Sequence, residues 1–530
     1  SITAQYFAAK SAVGAATGIR YELFTHIQTL GYEEMDTIGT STLITRMTSD
    51  INQVQNGINL VLRLFLRSPF IVFGAMIMAF TIDVKAAMIF VVAIILLSIV
   101  VFGVMFITKP LYKKVQAGLD TILGTTRENL TGVRVIRAFH QEQAEYEKFF
   151  RQNEQLTLLQ KLAGKISGLT NPLTFVIINF AILVLIHTGA VRVSLGTLSQ
   201  GQVVALYNYM SQILIELIKL ANLIINLTKA FAASGRIQDI FDIEPGMAEG
   251  NIELNLVNDN NSNDGTGKLA GENDSDNKLK NPENYNKDIA VEFENATLKY
   301  QGAGESSIEN VNFKAKTGQT IGIIGGTGSG KTSLINMIPR FYDPTEGKVK
   351  IFGIDAKDYK RKNLEDIIGV VPQKALLFKG TIRSNLLWGN ENATEEELVE
   401  ALKLSQSYDF VKEKDKGIDG EVAQKGKNFS GGQKQRLTIA RALVKKPKIL
   451  ILDDSSSALD YATDAKLRSD IKTLKDITLF VVSQRTASIM DADQIVVLDD
   501  GKVVGFGTHD ELLKDCSVYQ EIYQSQFKKG

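Results

Sequence analysis

The sequence predicts an α-helical polytopic membrane domain followed by an α/β domain built around a phosphate-binding loop, with a polar linker between them. Three observations carry that reading. Ala86 to Thr108 is an uncharged run of 23 residues, Glu249 to Asp288 is dominated by Asn, Asp, Gly, Ser and Lys, and TIGIIGGTGSGKTSLINMI places a glycine-rich loop between an apolar strand and a helix.

Composition sets the outer limits. The 530 residues, at about 150 per domain, correspond to roughly three domains. Lys+Arg and Asp+Glu balance at 59 each, so the net charge is zero and no basic field argues for a nucleic-acid partner. A single cysteine, Cys516, excludes an internal disulfide framework and a cysteine-rich zinc site, and four histidines argue against a histidine metal cluster. The mean hydropathy of +0.00 averages two unlike halves, one membrane-like and one cytosolic.

In the N-terminal half, a helix crosses a hydrocarbon core of about 30 Å in about 20 residues, so Ala86–Thr108 spans. Ile166 to Val191 reads the same way, interrupted near its start by Asn171-Pro172. Leu64 to Ile82, with Arg67, and Val203 to Thr228, with Glu216 and Lys219, are the weaker third and fourth spans. Glu216 and Lys219 read equally as a helix-surface pair or as a functional site within the membrane. Lys109 to Lys165 is too polar for lipid, carries ten Lys or Arg residues and is placed in the cytoplasm by the positive-inside rule. The short connections at Asp83–Lys85 and Arg192–Gln202 fall on the other side. SITAQYFAAKSAVGAATGIR lacks a signal-peptide pattern and reads as the inner end of a spanning helix whose start is missing. The expected boundaries are a membrane domain at 1–245, a flexible linker or insertion at 246–288, where eleven of the 38 residues from Asn251 to Asp288 are Asn, and an α/β domain at 289–530.

In the C-terminal half, AVEFENATLKY is a strand-like run, and Ile321–Ile324 is a buried strand leading into Gly325, Gly326, Thr327, Gly328, Ser329, Gly330, Lys331, Thr332 and Ser333. Glycines let backbone N–H groups close around phosphate, Lys331 adds positive charge near the terminal phosphates, and the Thr332 hydroxyl can ligate Mg²⁺. KILILDD ends a second apolar strand in Asp453, where a carboxylate can hold the Mg²⁺ shell. Between them, Ser430-Gly431-Gly432 opens a helical run, read either as a second anion site or as a capped turn.

These motifs resemble, in order, the nucleotide-binding domain of an ATP-binding cassette (ABC) transporter. GGTGSGKT is similar to the Walker A loop, VPQ with Gln373 to the Q-loop, FSGGQ to the signature, ILILDD to the Walker B strand and SALD with Asp460 to the D-loop. Tyr300 matches the aromatic that the family stacks on adenine. The N-terminal half resembles the exporter-type membrane domain from its second helix onward, with ENLTGVRVIRAF similar to the second coupling segment and the stretch around Gly31 to Asp50 to the first. The resemblance implies ATP and Mg²⁺ as ligands, Thr332, Gln373 and Asp453 around the metal, a plasma-membrane location with a cytoplasmic cassette, and an ABC-type transport ATPase.

Two departures alter what the resemblance implies. The family places a Glu after the Walker B Asp, and this chain has Asp454, one methylene shorter. The family's switch histidine is replaced by Gln484 in TLFVVSQRTAS. Together they imply a site that binds ATP and hydrolyses it poorly. The signature is intact except for Phe429 in place of Leu, so Ser430, Gly432 and Gln433 would complete the competent site of a second exporter half-subunit, with a heterodimer expected and a homodimer the alternative. The implied cargo is a hydrophobic or amphipathic small molecule. Lipid or peptide export and an ATP-gated channel or regulatory subunit are the alternative functions. Trp388 and His187 read as packing and as a cavity or helix contact, respectively.

Overall fold

The computed structural model describes residues 2–65, 67–253, 285–455, 457–474 and 476–527. The chain divides into two units, Ser1–Gln28 with Ser41–Asp242, and Thr29–Thr40 with Ile243–Gly530. Residues 254–284, most of the expected linker, lie outside the described residues. Its described flanks lie on the second unit, where the Ile252 amide donates to the Asp358 carbonyl at 2.9 Å and the Asn286 amide to the Phe352 carbonyl at 2.8 Å.

The described part of the first 241 residues is almost wholly helical: α1 (Ile2–Thr29), α2 (Tyr32–Ile38), α3 (Thr40–Thr45), α4 (Ile51–Leu60), α5 (Arg67–Ile82), α6 (Val84–Thr131), α7 (Val133–Ala138), α8 (Glu142–Gly168), α9 (Thr170–Ser194) and α10 (Gln200–Phe241). Among the described residues, three helical stretches are long and apolar enough to cross a membrane: Thr40–Ile82, Val84–Thr131 and Glu142–Ser194. The expected span at Leu64 to Ile82 is thus the end of a longer helix, which passes through π turns at Arg46–Asp50 and Val61–Phe65. A π turn inserts one residue per turn without ending the helix, and no sequence period announces it. The fourth expected span lies within α10, several of whose side chains are not described. Asn171-Pro172 interrupts as expected, because the break falls at Leu169 and Pro172 occupies the first turn of α9, where a missing N–H costs nothing.

α6 has 48 residues and at 1.5 Å each extends about 72 Å, so one helix carries both the apolar run and the polar segment beyond it. There it packs along α8, with the Thr125 hydroxyl donating to Gln152 at 2.9 Å. Asp83 caps α6 by accepting from the Ala86 amide at 2.7 Å and is ion-paired with Arg192 at the end of α9, so the two short connections meet at one end of the bundle.

Two buried carboxylates in this unit, Glu216 and Asp50, are paired. Ser68 donates to Glu216 at 2.7 Å and Lys219 to its other oxygen at 2.9 Å, so the i,i+3 pair also joins α10 to α5. Asp50, 2% exposed, accepts from Arg46 at 2.7 Å and from Arg236 at 2.5 and 3.1 Å. Beside this network, Gly57 lets α4 and α10 touch, since a Cβ there would collide with the Ala230 methyl.

The second unit contains β1 (Ile289–Leu298), β2 (Ile308–Lys316), β3 (Thr320–Gly325), β4 (Glu346–Ile351), β5 (Ile354–Asp355), β6 (Ile368–Val371), β7 (Gly380–Thr381), β8 (Glu421–Val422), β9 (Ile449–Asp453), β10 (Thr478–Val482), β11 (Gln494–Asp499) and β12 (Lys502–Gly507). β6, β9, β10, β3 and β11 pair in parallel, with β12 antiparallel at one edge, while β2, β1, β4 and β5 form an antiparallel sheet. The central strands are continuous apolar runs because both faces are covered. Ile323, Ile451, Phe480 and Val496 pack toward the antiparallel sheet with Phe293 and Phe313. Their neighbours Ile324, Leu450, Val481 and Val497 pack on the opposite face with Leu437 and Ile439 of the helix Gly431–Val444.

Removing one member of a buried charge network leaves the others uncompensated, and each charged hydrogen bond contributes about 1.5–3 kcal/mol. Asp50→Ala is therefore expected to lower the thermal unfolding midpoint of the detergent-purified protein by several degrees. Glu147→Ala, which removes the exposed 4.0 Å contact to Arg151, is expected to leave it unchanged.

Candidate functional site

Four sequence-predicted site elements meet at the carboxyl ends of the parallel strands, the edge where doubly wound sheets bind ligands. β3 runs into the glycine-rich loop, β9 ends at Asp453, β6 ends two residues before Gln373, and β10 ends two residues before Gln484.

The loop needs glycine for two different reasons. A Cβ on Gly325 would strike the Leu498 carbonyl and the Ser329 hydroxyl, whereas Gly330 has φ +92°, a left-handed conformation beneath the Ser307 carbonyl. The chain then enters α11 (Lys331–Asn336), and the Lys331 ammonium folds back into the loop. It donates to the carbonyls of Gly325 at 2.9 Å and Gly326 at 2.6 Å. Burial pushes the Lys331 pKa down, opposed by the carboxylates of Asp454 and Asp453. The Thr332 hydroxyl donates to the Asp453 carboxylate at 3.2 Å, and burial pushes the Asp453 carboxyl above the usual carboxylate range. A hydroxyl and a carboxylate this close are the hard oxygen donors that suit a divalent cation.

Tyr300 donates to the Ser333 hydroxyl at 3.0 Å and sits edge-on to Tyr342, with ring centroids 5.0 Å apart. Tyr342 in turn donates to Asp36 of α2 at 2.5 Å, Tyr32 stacks on Phe341 at 4.3 Å, and Glu34 accepts from the Gly246 amide at 3.0 Å. Of the stretch Gly31 to Asp50, then, the part through Thr40 belongs to the unit that carries Tyr300.

Gln373 donates to the Asp454 carboxylate at 3.3 Å. Asp454 has φ +43°, a left-handed conformation that Asp tolerates better than most residues, and its amide donates to the Val482 carbonyl at 3.0 Å. Gln484 is exposed.

The remaining sequence-predicted residues make contacts of their own. Ser430 and Gln433 form a reciprocal capping box at the start of the helix Gly431–Val444, at 3.3 and 3.0 Å, so the capped-turn reading of this serine is correct as local structure. Gly432 lies against the Ala458 carbonyl, and Asp460 caps the helix Tyr461–Lys472 by accepting from the Thr463 amide at 2.9 Å. Trp388 stacks on Phe378 at 4.1 Å, as packing. Three residues escaped the sequence reading: Tyr342; Arg485, whose guanidinium lies 5.0 Å from the Tyr461 ring and donates to the Leu459 carbonyl at 3.4 Å; and Gln526, bonded to the segment after β10. Their side-chain hydrogen-bond partners are 26 to 306 positions away, beyond any local pattern.

Residues 1–217 match the family model described as the ABC transporter transmembrane region, and 308–457 the one described as ABC transporter. The chain is 35% identical over 523 residues to the uncharacterized ABC transporter ATP-binding protein YfiB of Bacillus subtilis, across 98% of this chain and 86% of that protein. It is 32% identical over 528 residues to the putative multidrug export ATP-binding/permease protein YgaD of Bacillus subtilis, across 98% and 85%. A solved bacterial Atm1-family ABC exporter with ATP bound shares the fold, with a TM-score of 0.78 and 22% identity over 98% of this chain and 86% of that one. The chain thus belongs to the ABC transporter family, as a multi-pass membrane region fused to a cytoplasmic ATP-binding cassette, the build of transport ATPases that export as dimers in a lipid bilayer.

Proposed function

We propose that this chain is one subunit of a heterodimeric exporter of hydrophobic or amphipathic compounds, whose own site binds ATP and hydrolyses it slowly. The observation that carries this reading is the short reach of Asp454, whose carboxylate lies 3.3 Å from the Gln373 amide. A base must come within about one hydrogen bond of the water it polarises, and Asp falls about 1.5 Å short of Glu. Gln484 adds a second reason, because an amide can donate a hydrogen bond to phosphate but neither gives nor takes a proton near neutral pH.

In this reading the amides of the loop Gly325–Gly330 and Lys331 hold the phosphates, Thr332 and Ser333 begin the helix beyond them, and Tyr300 stacks on the base. Mg²⁺ bound with the nucleotide would supply positive charge against the phosphate oxygens, held by Thr332 and Asp453 with Gln373 nearby. Ser430, Gly432 and Gln433, with Asp460, would complete the second site across the dimer, where the other subunit supplies a full-length Glu and a His. Closure on ATP would pass through α2 and the second coupling segment and switch the membrane cavity between inward-facing and outward-facing. The division at 1–245, 246–288 and 289–530 belongs to the same proposal. The apolar spanning helices and the multidrug-export name of YgaD support such a cargo.

Three measurements test this. Lys331→Ala removes a charged donor and is expected to weaken fluorescent-nucleotide binding roughly 100-fold, which corresponds to about 3 kcal/mol. Asp454→Glu combined with Gln484→His is expected to raise ATP turnover of the assembled dimer at least ~10-fold, since a positioned base contributes 10²–10⁴; unchanged turnover sinks the slow-site account. The chain purified alone is expected to show negligible ATP hydrolysis, with clear turnover on co-expression with a second exporter subunit. Robust turnover alone establishes a homodimer with two working sites instead.

A further inference from the structure

The segment after β10 carries Gln484 and turns back at Thr486–Ser488 as a single 3-10 turn. The C-terminal helix Ser517–Phe527 lies against this segment, and one side chain from it makes three hydrogen bonds there. The Gln526 Nε2 donates to the Gln484 carbonyl at 2.8 Å, while its Oε1 accepts from the Thr486 amide at 2.8 Å and from the Thr486 hydroxyl at 3.0 Å. The orientation of the amide is fixed by its partners, because a backbone carbonyl can only accept and a backbone N–H can only donate. Thr486 is fully buried, whereas Gln526 is exposed, so the clamp reaches inward from the surface.

On its other side the same segment is tied to the loop after Asp454. Between the two clamped residues, Arg485 lies over the Tyr461 ring and donates to the Leu459 carbonyl. Two residues beyond Thr486, the Ser488 hydroxyl donates to Asp464 at 3.1 Å. The backbone around Gln484 is thereby gripped from two directions, and releasing the Gln526 grip leaves only the Arg485 and Ser488 contacts to hold the segment beneath the exposed Gln484 side chain.

We propose that Gln526 is a positioning residue of the ATP site, clamping the backbone on both sides of Arg485 so that residue 484 is presented to the bound nucleotide. This rests on residue 484 facing the terminal phosphate. Because Gln526 bonds the backbone of residue 484, the clamp acts equally on Gln484 and on a histidine placed there.

The test uses the full chain in its assembled dimer, as it is and with Asp454→Glu plus Gln484→His, and Gln526→Leu is introduced into each. Hydrogen exchange reads the clamp directly, since the Thr486 amide is one of its donors. Gln526→Leu is expected to speed exchange within residues 483–488 while leaving β3 and β9 protected. It is also expected to lower kcat for ATP roughly five- to tenfold in the doubly substituted background, the effect of about one lost hydrogen bond, with KM for ATP within about twofold. Gln526→Glu keeps the acceptor to Thr486 and loses the donor to residue 484, so it is expected to retain Thr486 protection while kcat falls. Unchanged exchange in Gln526→Leu overturns the clamp, and faster exchange with unchanged kcat overturns the positioning role. Failure of the double substitution to raise turnover is separate: it strikes the slow-site reading, while the exchange result and the ratio of kcat with and without Gln526→Leu still judge the clamp.

Discussion

The parallel register of β3, β10 and β9 is the constraint on which the cassette's site depends. Val482 pairs with Ile323 on one side and with Asp453 on the other, so β9 and β10 end level while β3 runs on to Gly325 and into the loop. Side chains alternate faces along a strand, and a slip of one residue in β9 would turn Asp453 to the opposite face and offer Leu452 in its place. The register is held by apolar packing on both faces of the sheet. That packing keeps a buried carboxylate 3.2 Å from Thr332, a placement that desolvation alone would oppose.

The membrane unit solves the same problem with less apolar contrast. Lipid gives helices no hydrophobic reason to associate, so polar pairs and close backbone contact specify which helices meet. Asp50 with Arg46 and Arg236 joins the helix before α4 to α10, Glu216 with Ser68 joins α10 to α5, and Asp83 with Arg192 joins the ends of α6 and α9. Each carboxylate is satisfied by a group from another helix. The approach of α4 to α10 at Gly57 and Ala230 adds the small-residue contact that brings Asp50 within reach of Arg236.

What the sequence reveals, and what it hides, follows from the range of each interaction. The phosphate loop is legible because its backbone demands glycine at fixed spacing, and β9 and β10 because strands covered on both faces become unbroken apolar runs. The apolar run that marks the span at Leu64 to Ile82 is silent about the π turns at Arg46 and Val61, through which the same helix continues. Asp83 is legible as a short connection, but its ion pair with Arg192 is not, since neither residue's neighbours encode the other. For the same reason Tyr342 with Asp36, 306 residues apart, and Gln526 with Thr486 appear only once the chain is folded. Ser430 is legible in both of its readings, and the capping box with Gln433 decides only its local one.

The cassette divides its labour between groups of different sensitivity. In the proposed function, phosphate is met by backbone amides and by Lys331, whose placement depends on loop conformation and on the register of β3, features that a nearby side-chain substitution leaves alone. Proton handling depends instead on the reach and acidity of one or two side chains, and a change of one methylene at Asp454 or of an imidazole for an amide at Gln484 acts on that alone. Closure upon ATP needs only the first set, because binding energy drives it; turnover needs both. A chain can therefore keep every contact that lets ATP bring two cassettes together while leaving the chemical step to its partner. On the proposed reading the helix that follows Ser430 must be firmly placed for the partner's site, and the contact of Gly432 with Ala458 and the box that joins Ser430 to Gln433 fix its start.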